Sequence, residues 1–400
     1  MIKELKTLMR NIADNYAKEF EDVSNFIFHN PELGGGEIKS SQFLVDFMKK
    51  HGFQITHPYA GEPTGFRAEI GNGKGPTIAF LAEYDALPGY GDNGEPAHAC
   101  GHNWIAAVTA GSAVVLSKMI DKLNGTIVLI GTPAEENLSA KVSMIKNGGF
   151  DDIDVALQAH PDQNTEITPG ALALSAYEFH FKGKAAHAAQ FPHQGINALD
   201  AVQLTFSGIN ALRQHIPSDV RIHGIVTAGG AAVNVVPDKC SCHFQIRAKK
   251  RSTVELVSEK VKNCALGASL MTGATCHITM PEPMLYDLIN VPILTRLAEE
   301  NLMENGILKV HREEISPGSS DIGNVSYVCP TCYIEVGLDD VNFRVHDREA
   351  LKYADSPHAY TKLHQVIKGM SSMAIDLLET PAFVEQAKKE HKLILQMPPE

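Results

Sequence analysis

TIAFLAEYD (residues 77–85) is a short apolar run that ends in acidic residues. Such a run predicts a strand buried on both faces. Working outward, AAVTAGSAVVLSKM (106–119) predicts a helix whose small residues allow close packing on a sheet. GTIVLIGTP (125–133) reads as a second strand, SAKVSMIKNGG (139–149) as a helix closed by glycine, and DVALQAH (154–160) as a third strand. Strand, helix and strand alternating at this spacing predict an α/β fold with a mostly parallel sheet. In such sheets the functional groups collect at the carboxyl ends of the strands. Asp85, Glu135, Glu136 and His160 all fall there.

A different pattern follows. ALALSAYEFHFKGKAAH alternates like a long strand, and GINALDAVQLTFSGINALRQHI reads as a helix. RIHGIVTAGG and KCSCHFQIRA are strand-like, STVELVSEKVKNCALGASLM is helical, and TCHITM is a last strand. The order β-α-β-β-α-β is that of a ferredoxin-like α+β sandwich, expected over residues 171–284. The α/β pattern then resumes with VPILTRLAEENLMENG as helix, TCYIEVG as strand and YTKLHQVIKGMSSMAIDLLE as the final helix. Residues 1–170 and 285–400 are therefore expected to form one discontinuous catalytic domain into which the second unit is inserted.

A chain of 400 residues exceeds what one core usually organises, in keeping with two domains. Its formal net charge of −12 sets it against nucleic acid and anionic membrane surfaces as partners. No stretch approaches the roughly 18 apolar residues of a membrane span. The N-terminus reads as an amphipathic helix rather than a signal peptide. Seven cysteines, an odd count, do not form a disulfide framework, so a cytoplasmic protein is expected. The CPTC run at Cys329–Cys332 has redox spacing without a redox context and reads as structural.

EPAHACGHNW (95–104) places Cys100 and His102 two residues apart, where a thiolate and an imidazole can face the same ion or two adjacent ions. These donors suit zinc, and added carboxylates widen the choice to manganese or cobalt. A buried cysteine beside a stray histidine is the bland alternative. In TPAEEN (132–137), Glu135 and Glu136 can divide labour, one coordinating and the other acting as base toward metal-activated water. The alternative is a solvated loop with a carboxylate favoured by a helix start. His160 closes an apolar strand in QAHP, and Asp85 either forms a turn or orients a ligating histidine. A cysteine nucleophile at Cys100 with a histidine base is a competing scheme. It leaves Glu135, Glu136 and His160 without use.

Taken together, FHNPELGGGE, EYDALPG, HACGHN, GTPAEEN, His160–Pro161, GKAAHAAQFPHQGINALDAV, GGAAVNVVPDKC and GSSDIGNVSYVCP resemble the co-catalytic metallopeptidases and amidohydrolases. That family includes aminoacylases, glutamate carboxypeptidases and hydrolases of indole-acetyl and aminobenzoyl amino acids. The branch of aminobenzoyl-glutamate hydrolases and basic-residue dipeptidases is the most similar. The resemblance implies a zinc-peptidase-like α/β domain with an inserted lid that pairs two subunits into a homodimer. It implies one or two divalent ions, Zn²⁺ or Mn²⁺, on Cys100, His102, Glu136, His160 and a late histidine, with Glu135 as general base. For the late ligand it points to His346, with His358 as the structural alternative. It also implies that His187 reaches a neighbouring subunit's site and that Asn234 and Arg247 hold a substrate carboxylate. Ser319, in GSSD, is a candidate lining residue. The implied substrates are dipeptides or N-acyl amino acids. One departure stands out: Glu83 occupies the place where many family members carry a histidine, a loss Cys100 can offset by bridging two ions. An inactive metal-binding homologue would keep the same ligands.

Overall fold

The computed structural model describes residues 1–311, 318–338 and 341–397. The chain folds as two compact units, Met1–Gly170 with Leu288–Met397, and Ala171–Asp287. In chain order the first stretch holds α1 (Ile2–Phe28), α2 (Ile38–Lys50), β1 (Gln54–Thr56), β2 (Phe66–Gly71) and β3 (Thr77–Ala82). It continues with α3 (His102–Ser117), β4 (Thr126–Gly131), α4 (Ala140–Lys146) and β5 (Val155–Asp162). The second unit runs β6 (Ala173–Lys182), α5 (Ala198–Leu212), β7 (Arg221–Ala228), β8 (Lys239–Ala248), α6 (Arg251–Thr272) and β9 (Thr275–Thr279). The chain then returns with α7 (Pro292–Glu304), α8 (Ile322–Ser326), β10 (Thr331–Gly337), α9 (Leu351–Ala354), α10 (Pro357–Glu379) and α11 (Pro381–Leu395).

Among the described residues the first unit's sheet has the order β1-β2-β4-β3-β5-β10. The four strands β4, β3, β5 and β10 pair in parallel, while β1 and β2 are antiparallel additions at one edge. After β3 the chain passes to β4 on one side and then to β5 on the other. This reversal is the switch point outside which α/β proteins place their ligands. Helix α3, buried along its whole length, packs on β3, β4 and β5. An apolar surface all round is what a central helix needs. Helices α1 and α10 cover it; α1 contributes Leu5, Met9, Ala13, Phe20, Val23 and Ile27 from its buried stripe.

In the second unit the sheet order is β7-β8-β6-β9, all pairings antiparallel. With α5 and α6 packed on the sheet, this is the ferredoxin-like arrangement expected from the sequence. Phe179, Phe181, Phe244 and Ile246 form its core with Val202 and Val257 from the helices. Strand β7 lies at the sheet edge and exposes Ile225 (63%) and Val226 (48%). All seven cysteines are unpaired. Burial pushes the Cys329 and Cys332 thiols up to about 12, which suits a structural rather than a redox role. Among the described residues no helix is long and apolar enough to cross a membrane.

Candidate metal centre

Parallel pairing brings the ends of β3, β4, β5 and β10 to one sheet edge, and the chemistry collects there. Gly101, with φ at +78°, turns the chain between Cys100 and the first residue of α3, His102. A Cβ there would meet Pro161 Cγ at 2.6 Å, so the turn needs glycine twice over. On the opposite side, Ala134 adopts φ +55° just before Glu135, an uncommon conformation for a residue with a Cβ. Glu37, buried at the start of α2, holds that turn by accepting from the Ala134 amide at 2.7 Å. Gly34 completes the brace, since a Cβ on it would come within 2.8 Å of Ala134 Cα. The GGGE stretch is thus a support for the glutamate loop.

The donor atoms of Cys100, His102 and His160 lie within 4.8 Å of one another. So do those of Cys100, Glu136 and His346, and those of His102, Glu135 and Glu136. Cys100 Sγ is 3.5 Å from His160 Nε2, and Glu136 Oε1 is 3.7 Å from His102 Nε2 and 3.2 Å from His346 Nε2. Ligands at 2.0–2.3 Å around a tetrahedral ion stand about 3.3–3.8 Å apart, which these separations approximate. Among the described residues, His102 Nε2 and Glu136 Oε1 are both buried without a hydrogen bond. Orphaned buried polar atoms of this kind are costly unless something else engages them. The donor set and its unsatisfied atoms fit divalent ions, and the recurrence of Cys100, His102 and Glu136 in overlapping groups fits two adjacent ones.

The surrounding contacts fix these groups. Asp85 Oδ1 lies 2.9 Å from His102 Nδ1, leaving Nε2 to face the other donors. Asp85 Oδ2 accepts from the Glu136 amide at 3.0 Å. His160 Nδ1 is held by the Pro161 carbonyl at 2.7 Å. His346 has φ +60°, and its backbone is tied down from two sides. Its amide donates to the Ala99 carbonyl, and its own carbonyl accepts from Tyr90 Oη, in the turn-forming GYGDNGE segment. His358 instead occupies the first turn of α10.

Burial pushes the Cys100 thiol well above its ordinary range, and the Glu136 carboxylate adds to this. That is the reverse of what activates a thiol nucleophile. Burial likewise raises the Glu135 carboxyl, reinforced by Glu83 and Asp321. Glu136 behaves oppositely: burial acts to raise it, yet the His346 and His102 imidazoles hold it below the usual range. Two adjacent glutamates therefore occupy distinct environments, the Glu135 carboxyl pushed up and the Glu136 carboxylate pulled down.

Beneath Glu135 lies a group that sequence reading missed. Lys141, fully buried on α4, donates to Glu83 Oε1 and Asp321 Oδ1, each at 2.6 Å. Burial acts to lower its basicity, but Asp321, Glu83 and Glu135 together raise it, so it stays an ammonium ion. A lysine flanked by Ala140 and Val142 was the available signal.

The remaining candidates stand elsewhere. Ser319 precedes α8 in the first unit, half-buried. His187, Asn234 and Arg247 belong to the second unit. His187 is exposed in a loop, its Nδ1 accepting from the Ala189 and Gln190 amides, and it bridges to Val235 beside Asn234. Arg247 lies on β8 between Leu174 and Arg221 and donates to Gln245 Oε1 at 3.3 Å.

Comparison with known proteins identifies the class. Residues 79–372 match the model of Peptidase family M20/M25/M40. The chain belongs to this family and is a hydrolase of amide bonds. It is 32% identical to the Xaa-Arg dipeptidase of Mus musculus over 98% of this chain and 94% of the relative. It is 28% identical to a p-aminobenzoyl-glutamate hydrolase subunit of Escherichia coli (strain K12), over 100% and 97% of the two chains. Among solved structures, a dinuclear metal binding peptidase of the M20 family from Bacillus subtilis superposes with a TM-score of 0.69. It shares 21% identity over 92% of this chain and 99% of that one, a likeness of fold.

Proposed function

We propose that the protein hydrolyses dipeptides or N-acyl amino acids with a free α-carboxylate. One or two divalent ions, Zn²⁺ or Mn²⁺, would be held by Cys100, His102, Glu136, His160 and His346. When bound, such ions supply Lewis acidity and make water a nucleophile at neutral pH. Glu135 takes the proton of the attacking water and returns it to the leaving amine. Asp85 keeps His102 in the tautomer that points Nε2 at the ions. The observation that carries this reading is the set of overlapping donor groups sharing Cys100, His102 and Glu136, with the Glu135 carboxylate beside them.

For the substrate's carboxylate we assign Arg247 and Asn234; a guanidinium fork and an amide donor suit that group. The mouse relative acts on Xaa-Arg dipeptides and the E. coli relative on aminobenzoyl-glutamate. Both leave an amino acid with a free carboxylate. A panel of Xaa-Arg and Xaa-Lys dipeptides, aminobenzoyl-glutamate and acetyl amino acids should yield at least one good substrate. Amidating the α-carboxylate of that substrate should cost about 10²-fold or more in kcat/KM, because the substrate then loses its charge-assisted pairing with the guanidinium. Equal rates on acid and amide would remove the carboxylate subsite.

His187 is assigned to the oxyanion of a partner subunit's substrate, within a homodimer formed through the inserted unit. Support comes from β7, an edge strand with exposed Ile225 and Val226, features that favour pairing with another chain. Sedimentation should show a dimer that Ile225→Lys weakens about tenfold or more; a monomer at every concentration would withdraw both assignments. A reduced compartment, the cytoplasm, suits a thiolate ligand at Cys100.

A further inference from the structure

Glu83, Glu135 and Asp321 bring carboxylate oxygens within 4.8 Å of one another, a spacing suited to a cation. A cation is already there. The Lys141 ammonium sits 2.6 Å from Glu83 and 2.6 Å from Asp321, and the Lys141 amide donates to the second Asp321 oxygen at 3.1 Å. The lysine, Glu83 and Asp321 side chains are 0%, 1% and 0% exposed. A buried ion pair contributes little net stability relative to apolar packing, so stability alone is a weak reason to build one. What the arrangement does achieve is to sort three carboxylates. Glu83 and Asp321 are hydrogen-bonded to the lysine, whereas Glu135 meets the ammonium only through its charge. Glu83 also lies close to the metal centre, its Oε2 3.7 Å from His102 Nε2.

We propose that Lys141 is a positioning residue that serves as a built-in cation. It fills the trio of Glu83, Glu135 and Asp321, denies that trio to a divalent ion, and so keeps Glu135 free as base. This rests on the reading of Glu135 given above. Hard carboxylate oxygens in this number bind Mn²⁺ or Mg²⁺ readily once the ammonium is gone. A surplus ion would then draw Glu135 away from the attacking water.

The test uses full-length Lys141→Gln and Lys141→Met proteins, loaded with Mn²⁺, desalted and compared with wild type by elemental analysis. Each variant should carry about one additional ion per chain. Its kcat should fall about 10²-fold or more while KM stays within about threefold. Adding Asp321→Asn to Lys141→Gln should expel the surplus ion and recover kcat about tenfold, a rescue that a merely structural lysine would not allow. Variants that fold only with Mn²⁺ present would support the proposal equally. An unchanged ion count, no rescue, or failure to fold with and without Mn²⁺ would overturn it. Wild type free of metal and inactive on every substrate would instead overturn the function proposed above.

Discussion

Glu135→Gln should lower kcat by about 10²–10⁴-fold, leave KM nearly unchanged and leave the metal content as in wild type. Glutamine keeps the size and polarity of the side chain but cannot accept the proton of the attacking water. The substitution removes a carboxyl that burial, Glu83 and Asp321 all raise above its ordinary value, the kind of perturbed environment found at catalytic carboxyls. Because Glu136 Oε1 stands 3.7 Å from His102 Nε2 and 3.2 Å from His346 Nε2 and is the carboxylate assigned as ligand, the ions should stay in place. Steady-state kinetics with elemental analysis separates the two effects. Full activity in the variant would end the role of Glu135, and lost metal would make it a ligand. Full activity or none in wild type also decides against or for an inactive metal-binding homologue.

Cys100→Ala should have the opposite signature, losing metal first and activity as a result. Its sulfur belongs to two of the donor groups, with His102 and His160 on one side and Glu136 and His346 on the other. In the absence of a cation, burial and Glu136 oppose the thiolate, so an ion is the natural means of stabilising it. Removing it should drop the content by about one ion per chain and the rate by about 10²-fold or more. Cys242→Ala is the control: that thiol is buried in the second unit and should leave both quantities unchanged. Undiminished metal in Cys100→Ala would take the sulfur out of the coordination sphere.

The parallel core of the fold was legible because β3, β4 and β5 are buried on both faces and read as short, largely apolar runs. What escaped were elements without such a run. In β2, FRAEIG sets Arg67 and Glu69 between apolar residues, and the strand pairs antiparallel at the edge. Helix α11 buries only Val384, Ala387 and His391, too thin a stripe to stand out among its lysines. The strand expected from ALALSAYEFHFKGKAAH stops at Lys182, and a Cβ on the next residue, Gly183, would run into the Ile196 carbonyl. In the candidate site, Cys100 and His102 were legible as neighbours. His160 was legible as a strand-end residue gathered with Asp85, Glu135 and Glu136, whereas His346 was reached only through the family resemblance, since no local pattern marks it. Lys141 was hidden for a different reason: lysine is rarely buried, so nothing in its neighbourhood prompts pairing it with Glu83 and Asp321.

On the function proposed above, the groups at the ends of β3, β4, β5 and β10 form a hydrolytic metal centre. Metal content per chain by elemental analysis, with hydrolysis assayed before chelation, after chelation and after return of Zn²⁺ or Mn²⁺, tests it most directly. About one to two ions per chain are expected, with activity that disappears with the ions and returns with them. A protein that hydrolyses its substrate at full rate without any bound metal would contradict it.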